Sequence, residues 1–171
     1  MWKAVFVLEI WKGEPYKLPS SLFSCLQLKI LSLRSCMFKP PPEEFKGFSS
    51  LLALELYDVV ITANTFSSLI SSCPLLEYLV LGHSTSVSYL DITAPNLKSL
   101  FCEGLFSSIC FKKTPQLAKV TICLNDGMNG KVFGEGESSK VVFFDSLTVV
   151  EVLELDYYYA KVEYQRVFQL L

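Results

Sequence analysis

A single histidine, His83, is all the imidazole this 171-residue chain contains, and none of its six cysteines forms a Cys-x-x-Cys pair. Those shortages exclude a metal site of the usual ligand spacing. No Asn-x-Ser/Thr sequon and no clear signal peptide occur, so nothing points to secretion. The cysteines are therefore expected to be reduced, in an intracellular protein of the cytoplasm, the nucleus or both. Charged residues reach only 19%, the net charge is -2, and Lys112-Lys113 is the one adjacent basic pair. Nucleic acid normally demands a clustered basic face, so it is not an expected partner. The apolar run Ala4 to Leu8 is cut by Glu9, far short of a membrane span. What is abundant is apolar side chain, at 51%, enough for a real core and too much for disorder.

Catalytic constellations are equally scarce. His83 has Ser84, Ser86, Ser88 and Asp91 nearby, but no nucleophile-elbow sequence accompanies them, and His83 reads as a loop residue. Gly134 to Lys140 superficially resembles a phosphate loop. Glu135 and Glu137 would repel phosphate, and the lysine does not follow a glycine. The chain is therefore expected to be no enzyme and to use no cofactor, metal or catalytic residue.

The positive signal is a recurring pattern, apolar-x-x-apolar-x-apolar. It starts at Val5 (with Leu8, Ile10), Leu28 (Leu31, Leu33), Leu51 (Leu54, Leu56) and Leu76 (Leu79, Leu81). It returns at Leu97 (Leu100, Cys102), Leu117 (Val120, Ile122) and Leu147 (Val150, Val152). By position arithmetic the starts lie 23, 23, 25, 21, 20 and 30 residues apart, mostly inside the ~20–29-residue period of leucine-rich repeats. Each unit ends in a short strand whose two alternate apolar side chains point the same way. One such strand cannot hide its face, whereas seven stacked side by side share a continuous core. The expected fold is α/β: a leucine-rich repeat solenoid with a curved parallel β-sheet and short helices or irregular segments on the convex side.

Between the strands, Ser20 or Ser21 is expected to cap a short helix, and Glu43 to Phe48 to hold one helical turn. The clearest helix is Ala63 to Ser72, capped by Thr62 or Asn64, with Phe66, Leu69 and Ile70 on one face. Pro74, Pro95 and Pro115 each stand two residues before a repeat start, where the ring is expected to deliver the chain extended into its strand. Asn125 to Ser139 is an exposed loop rich in glycine, followed by a short helix through Phe144 and a last strand, Thr148 to Leu155. The first strand begins close to Met1 with no cap ahead of it, so the expectation is that more protein lies upstream.

The outward strand positions form two rows. One runs Glu9, Ser32, Glu55, Val80, Phe101, Thr121, Glu151, and the next Trp11, Arg34, Tyr57, Gly82, Glu103, Cys123, Leu153. Aromatic, acidic and arginine side chains suit a protein partner. The candidate binding residues are Trp11, Arg34, Glu55, Tyr57, Tyr78, Phe101 and Glu103. Trp11, Arg34 and Tyr57 are placed as neighbours able to make a cation–π contact, or simply to stabilise the sheet by cross-strand pairing.

Several motifs in order resemble one family. They are Leu18-Pro-Ser-Ser-Leu-Phe-Ser-Cys25, Leu28-Lys-Ile-Leu-Ser-Leu-Arg-Ser-Cys36, Phe38-Lys-Pro-Pro-Pro42, Phe45-Lys-Gly-Phe48, Leu69-Ile-Ser-Ser-Cys-Pro-Leu-Leu-Glu77, Ala94-Pro-Asn-Leu97 and Phe143-Phe-Asp-Ser-Leu147. Together they look like the repeat region of plant F-box proteins with leucine-rich repeats, often followed by an FBD domain. The resemblance implies substrate recognition for a cullin-based ubiquitin ligase, with a Skp-type adaptor as partner only if an F-box exists upstream. The target protein stays unidentified. The usual repeat asparagine is mostly missing: Cys36 and Asn125 fill its place, while Gly13, Val59, Ser84, Leu105 and Leu155 replace it, so irregular turns are expected. The organisation expected is about seven irregular repeats over 1–156 and a divergent tail over 157–171. Two other readings stay open: a small-ligand-sensing repeat domain, and a truncated remnant without function.

Overall fold

Leu31, Leu54, Leu79 and Leu100 stand directly opposite one another on consecutive strands, each at most 1% exposed. The computed structural model describes residues 5–11, 14–82, 89–104, 108–125 and 150–158. Eleven strands and one α-helix occur among them. Seven of the strands form the main sheet: β1 (Val5–Glu9), β3 (Ile30–Arg34), β5 (Ala53–Tyr57), β6 (Tyr78–Gly82), β8 (Ser99–Glu103), β10 (Lys119–Asn125) and β11 (Val152–Tyr158). They pair in that order, every pair parallel. Parallel neighbours require a crossover between them. The expected solenoid of parallel rungs is the fold observed.

Register departs from the sequence expectation at both ends. On β1 it is Phe6 and Leu8 that oppose Leu31 and Leu33, and both pack against the core. Val5 and Val7 face outward, so the starting triplet Val5, Leu8, Ile10 is displaced. At the other end Leu153 and Leu155 oppose Val120 and Ile122, so the last unit is Val150, Leu153, Leu155 and not Leu147, Val150, Val152. The strand accordingly runs to Tyr158 instead of ending at Leu155.

The three prolines work differently from the expectation. The amides of Leu76, Leu97 and Leu117 donate to the carbonyls of Cys73, Ala94 and Thr114 at 3.1, 3.1 and 3.2 Å. Each proline is therefore the second residue of a β-turn, where its fixed φ is already correct. Cys25 to Leu28 and Phe48 to Leu51 close the same way without proline, each at 3.1 Å. The turn is common to the repeats, and the ring only stiffens it.

The return layer changes character along the chain. Ser20–Ser24 is a 3-10 turn whose N-cap is Pro19, with no side-chain cap, so neither expected serine caps it. At Glu43 a turn closed by Phe45 N to Pro42 O at 2.9 Å replaces the expected helical turn. Phe23 gathers Phe38, Phe45 and Phe48 at centroid distances of 5.6, 5.0 and 6.3 Å. Next comes α1 (Ala63–Ser71), where Thr62 Oγ1 accepts from the Thr65 amide at 3.3 Å, and Phe66, Leu69 and Ile70 are buried as expected. Beyond it the layer becomes a small parallel sheet of β7 (Tyr89–Thr93) and β9 (Ser108–Lys112). Leu90, Ile92, Ile109 and Phe111 join the same core from that side. A third sheet pairs β2 (Tyr16–Lys17) with β4 (Cys36–Met37).

Asp91 and Lys112 lie on β7 and β9, and Lys112 Nζ reaches Asp91 Oδ2 at 2.7 Å. Cys25, Cys36, Cys73, Cys102 and Cys110 carry free thiols. No helix among the described residues is long and apolar enough to cross a membrane. The expectations for His83 and Ser84 to Ser88, for Gly13 and Leu105, for the loop and helix after Asn125, and for the tail beyond Tyr158 lie outside the described residues.

Candidate functional site

Alternation within each five-residue strand turns two or three side chains away from the core, so the pairing aligns them in rows. The first row runs Val5, Ile30, Ala53, Tyr78, Ser99, Lys119 and Val152. The second runs Val7, Ser32, Glu55, Val80, Phe101, Thr121 and Glu154. The third runs Glu9, Arg34, Tyr57 and Gly82, and Glu103 and Cys123 continue it on β8 and β10. Glu9 thus takes the place expected for Trp11, and Glu154 that expected for Glu151. The shifted registers of β1 and β11 cause both corrections.

Of the candidate residues, Arg34, Tyr57 and Glu103 lie in the third row. Arg34 Cζ lies 4.4 Å from the Tyr57 ring centroid and 5.0 Å from that of Trp11, just past the end of β1. The expected cation–π contact is therefore present, with one guanidinium serving two rings. Each such contact contributes roughly 0.5–1 kcal/mol at an exposed position. Tyr57 in turn leans on Gly82, where a Cβ would meet its Cδ1 at 2.2 Å. The glycine is there for space, and its role as the floor of this stack was missed from sequence, where only its position in the row was visible. Trp11 keeps 73% of its surface exposed.

Carboxylates surround this stack. Burial raises the Tyr57 phenol above its usual range, Glu55 adds to that, Arg34 opposes it, and Glu103 raises it further. Glu55 also accepts from Ser32 Oγ at 2.9 Å, which explains how a serine on the outward face becomes buried. At the far end Glu154 accepts from Thr121 Oγ1 at 2.7 Å and pairs with Lys119 at 3.1 Å. Its carboxyl is held below the usual range, chiefly by the Thr121 hydroxyl and then by Lys119.

Tyr78 and Phe101 do not belong to the stack. Tyr78 stands in the first row, half exposed, and Phe101 in the second beside Val80. The sequence reading also passed over Val5, Val7 and Ile30, exposed apolar residues of the same face. Where strands leave the face, Ser35 and Asp58 take the left-handed conformation at φ 51° each, and Ser35 Oγ donates to Asp58 Oδ2 at 3.1 Å. Cys36 and Val59, at the place of the usual repeat asparagine, are both fully buried. The polar ladder has moved one residue earlier. This arrangement offers shape, rings and charge to a partner.

Comparison with known proteins agrees with this geometry. The family described as FBD-associated F-box protein At5g56370, LRR repeats, matches residues 3–167. An F-box/FBD/LRR-repeat protein of Arabidopsis thaliana, At1g13570, is 42% identical over 118 residues, which cover 69% of this chain and 28% of that protein. The Arabidopsis FBD-associated F-box protein At5g56370 is 33% identical over 119 residues, 66% of this chain and 28% of that one. The Arabidopsis protein At5g56560, a putative FBD-associated F-box protein by its name, is 36% identical over 90 residues, 52% and 21% of the two chains. The chain thus spans less than a third of the length of these relatives. No solved structure matches it. With that family model matching residues 3–167 and parallel rungs throughout the described strands of the main sheet, the chain belongs to the leucine-rich repeat family of plant FBD-associated F-box proteins.

Proposed function

We propose that this chain is a non-catalytic recognition module, the part of an F-box ubiquitin-ligase subunit that selects the protein to be modified. Its mechanism is positioning. A stiff parallel sheet presents side chains at fixed spacing to a target, and the transfer chemistry takes place on other subunits. The observation that supports this reading best is the Trp11–Arg34–Tyr57 stack on the outward face. Aromatic and arginine side chains dominate interface hot spots, and these three are ordered before any partner arrives. The relatives' names supply the F-box context.

The test is affinity capture from plant extract with this chain and with its upstream-extended gene product. The extended product is expected to bring down a Skp-type adaptor, and the chain to retain a target that Arg34→Ala releases. An extended product that captures no cullin-ligase adaptor would end the ubiquitin-ligase reading.

A further inference from the structure

We propose that the outer end of this face takes an arginine of the partner, its guanidinium stacked on the uncovered side of the Trp11 ring and its charge met by Glu9. This rests on the recognition reading above and names the group that is recognised.

The ring comes first. Trp11 stands just past the end of β1, the outermost strand of the main sheet, so among the described residues no further strand covers its far side. Arg34 Cζ lies over the indole at 5.0 Å, yet Trp11 keeps 73% of its surface exposed. One face of the ring is therefore in use and the other is open. An indole attracts a cation through the negative potential above its plane, more strongly than a phenol or phenyl ring does. This indole already holds one guanidinium, so its setting permits the contact.

The charge comes second. Glu9 precedes Trp11 by two residues and stands directly opposite Arg34 on the β1–β3 pair. It is exposed, and none of the ion pairs among the described residues includes it. The stack explains why. The Arg34 guanidinium is taken up by the Trp11 and Tyr57 rings, and its Nε is buried without a hydrogen-bond partner. An exposed carboxylate thus lies beside an open ring face.

A guanidinium suits both at once, because its plane stacks on an indole while its N–H edge meets a carboxylate in two parallel bonds. An ammonium has neither the plane nor the fork. Arg34 opposes a second cation only weakly. Guanidiniums on the two faces of the indole would lie about 10 Å apart, beyond the roughly 8 Å Debye length of physiological salt. Glu9 acts at contact distance and decides the sign. A partner carboxylate aimed at Arg34 would have to approach past Glu9, which disfavours it.

NMR titration of the Trp11 indole N–H tests the proposal, with Trp2→Phe removing the other indole of the chain. The probes are short glycine–serine peptides with one central arginine, lysine, citrulline or glutamate. The arginine peptide is expected to shift the resonance saturably. Lysine should bind at least about threefold more weakly, and citrulline and glutamate at least about tenfold. Glu9→Gln should weaken the arginine peptide about fivefold and remove most of its salt dependence. Glu9 is exposed, so the fold is spared, and an otherwise unchanged amide spectrum verifies that.

Equal affinity for the citrulline or the glutamate peptide overturns the proposal, as does indifference to Glu9→Gln. Absence of any saturable shift overturns it too. If target capture still depends on Arg34 in those events, the recognition reading stands and only the identity of the recognised group falls.

Discussion

The Tyr57 ring occupies the space a side chain would need at Gly82, coming within 2.2 Å of where its Cβ would be. Gly82→Ala is therefore expected to cost about 1–3 kcal/mol through overpacking. In a Tyr57→Ala background the same change should cost little, because the obstructing ring is gone. Urea denaturation of the four proteins of this cycle gives the coupling. An undiminished penalty without Tyr57 would show that the ring is not the cause.

Gly47 presents a different obstacle. Its φ is +102°, and a Cβ would stand 1.8 Å from the Ser72 carbonyl oxygen at the end of α1. That atom is backbone, so neither strain nor clash is relieved by turning a side chain. Gly47→Ala should destabilise more than Gly82→Ala, by about 2–4 kcal/mol, read from the shift in denaturation midpoint.

Leu54 and Val7 lie on adjacent rows of the same sheet with opposite environments. Leu54 is fully buried, and Leu54→Ala is expected to cost about 2–5 kcal/mol. Val7→Ala, on the open face, should stay within about 0.5 kcal/mol. Thermal unfolding of both variants checks the contrast, and comparable losses would mean that Val7 is not on the solvent face.

The start of α1 depends on Thr62, whose hydroxyl accepts from the Thr65 amide at 3.3 Å. Thr62→Ala leaves that amide without its partner and should cost about 1 kcal/mol, whereas Thr62→Ser should restore most of it. Stability equal to that of the parent in Thr62→Ala would indicate that water serves the amide as well.

Alkaline pH should unfold the chain through its core thiols. Burial pushes Cys36 and Cys73 from an ordinary 9.0 up to about 11, and it raises Cys102 as well. The folded state keeps these protons while the unfolded state releases them. Their contribution is complete below pH 9 and is lost as pH rises toward 11, at about 1.4 kcal/mol per pH unit for each thiol. Denaturant midpoints measured between pH 8 and 11 should fall in that window, and more gently in Cys73→Ala. Flat midpoints would show that the thiols titrate alike in both states.

How much could be read in advance depended on how cleanly each strand alternates. Leu28, Leu31 and Leu33, with their counterparts in four further units, keep one spacing from unit to unit, so a single register hides them all. Val5-Phe6-Val7-Leu8 is apolar on both sides, and Val150-Glu-Val-Leu-Glu-Leu155 contains two competing pairs, so local pattern could not choose between registers. Tyr89-Leu-Asp-Ile-Thr93 alternates well, yet it falls between two repeat starts, and only its pairing with β9 reveals a strand. The stack of Trp11, Arg34 and Tyr57 was legible because its members recur near the ends of strands. The support that Gly82 gives it was not, since a missing side chain shows its purpose only when something fills the gap.

The succession of buried leucines, the parallel rungs and the family were determined by the sequence alone, because a pattern repeated every twenty-odd residues leaves one way to bury every apolar face. Pairing between neighbouring strands decided the rest: which residues of β1 and β11 face the core, where the return layer changes from helix to strand, and which rings meet Arg34. Those outcomes depend on backbone hydrogen bonds and on space left by distant residues, and neither is written in the local order of amino acids.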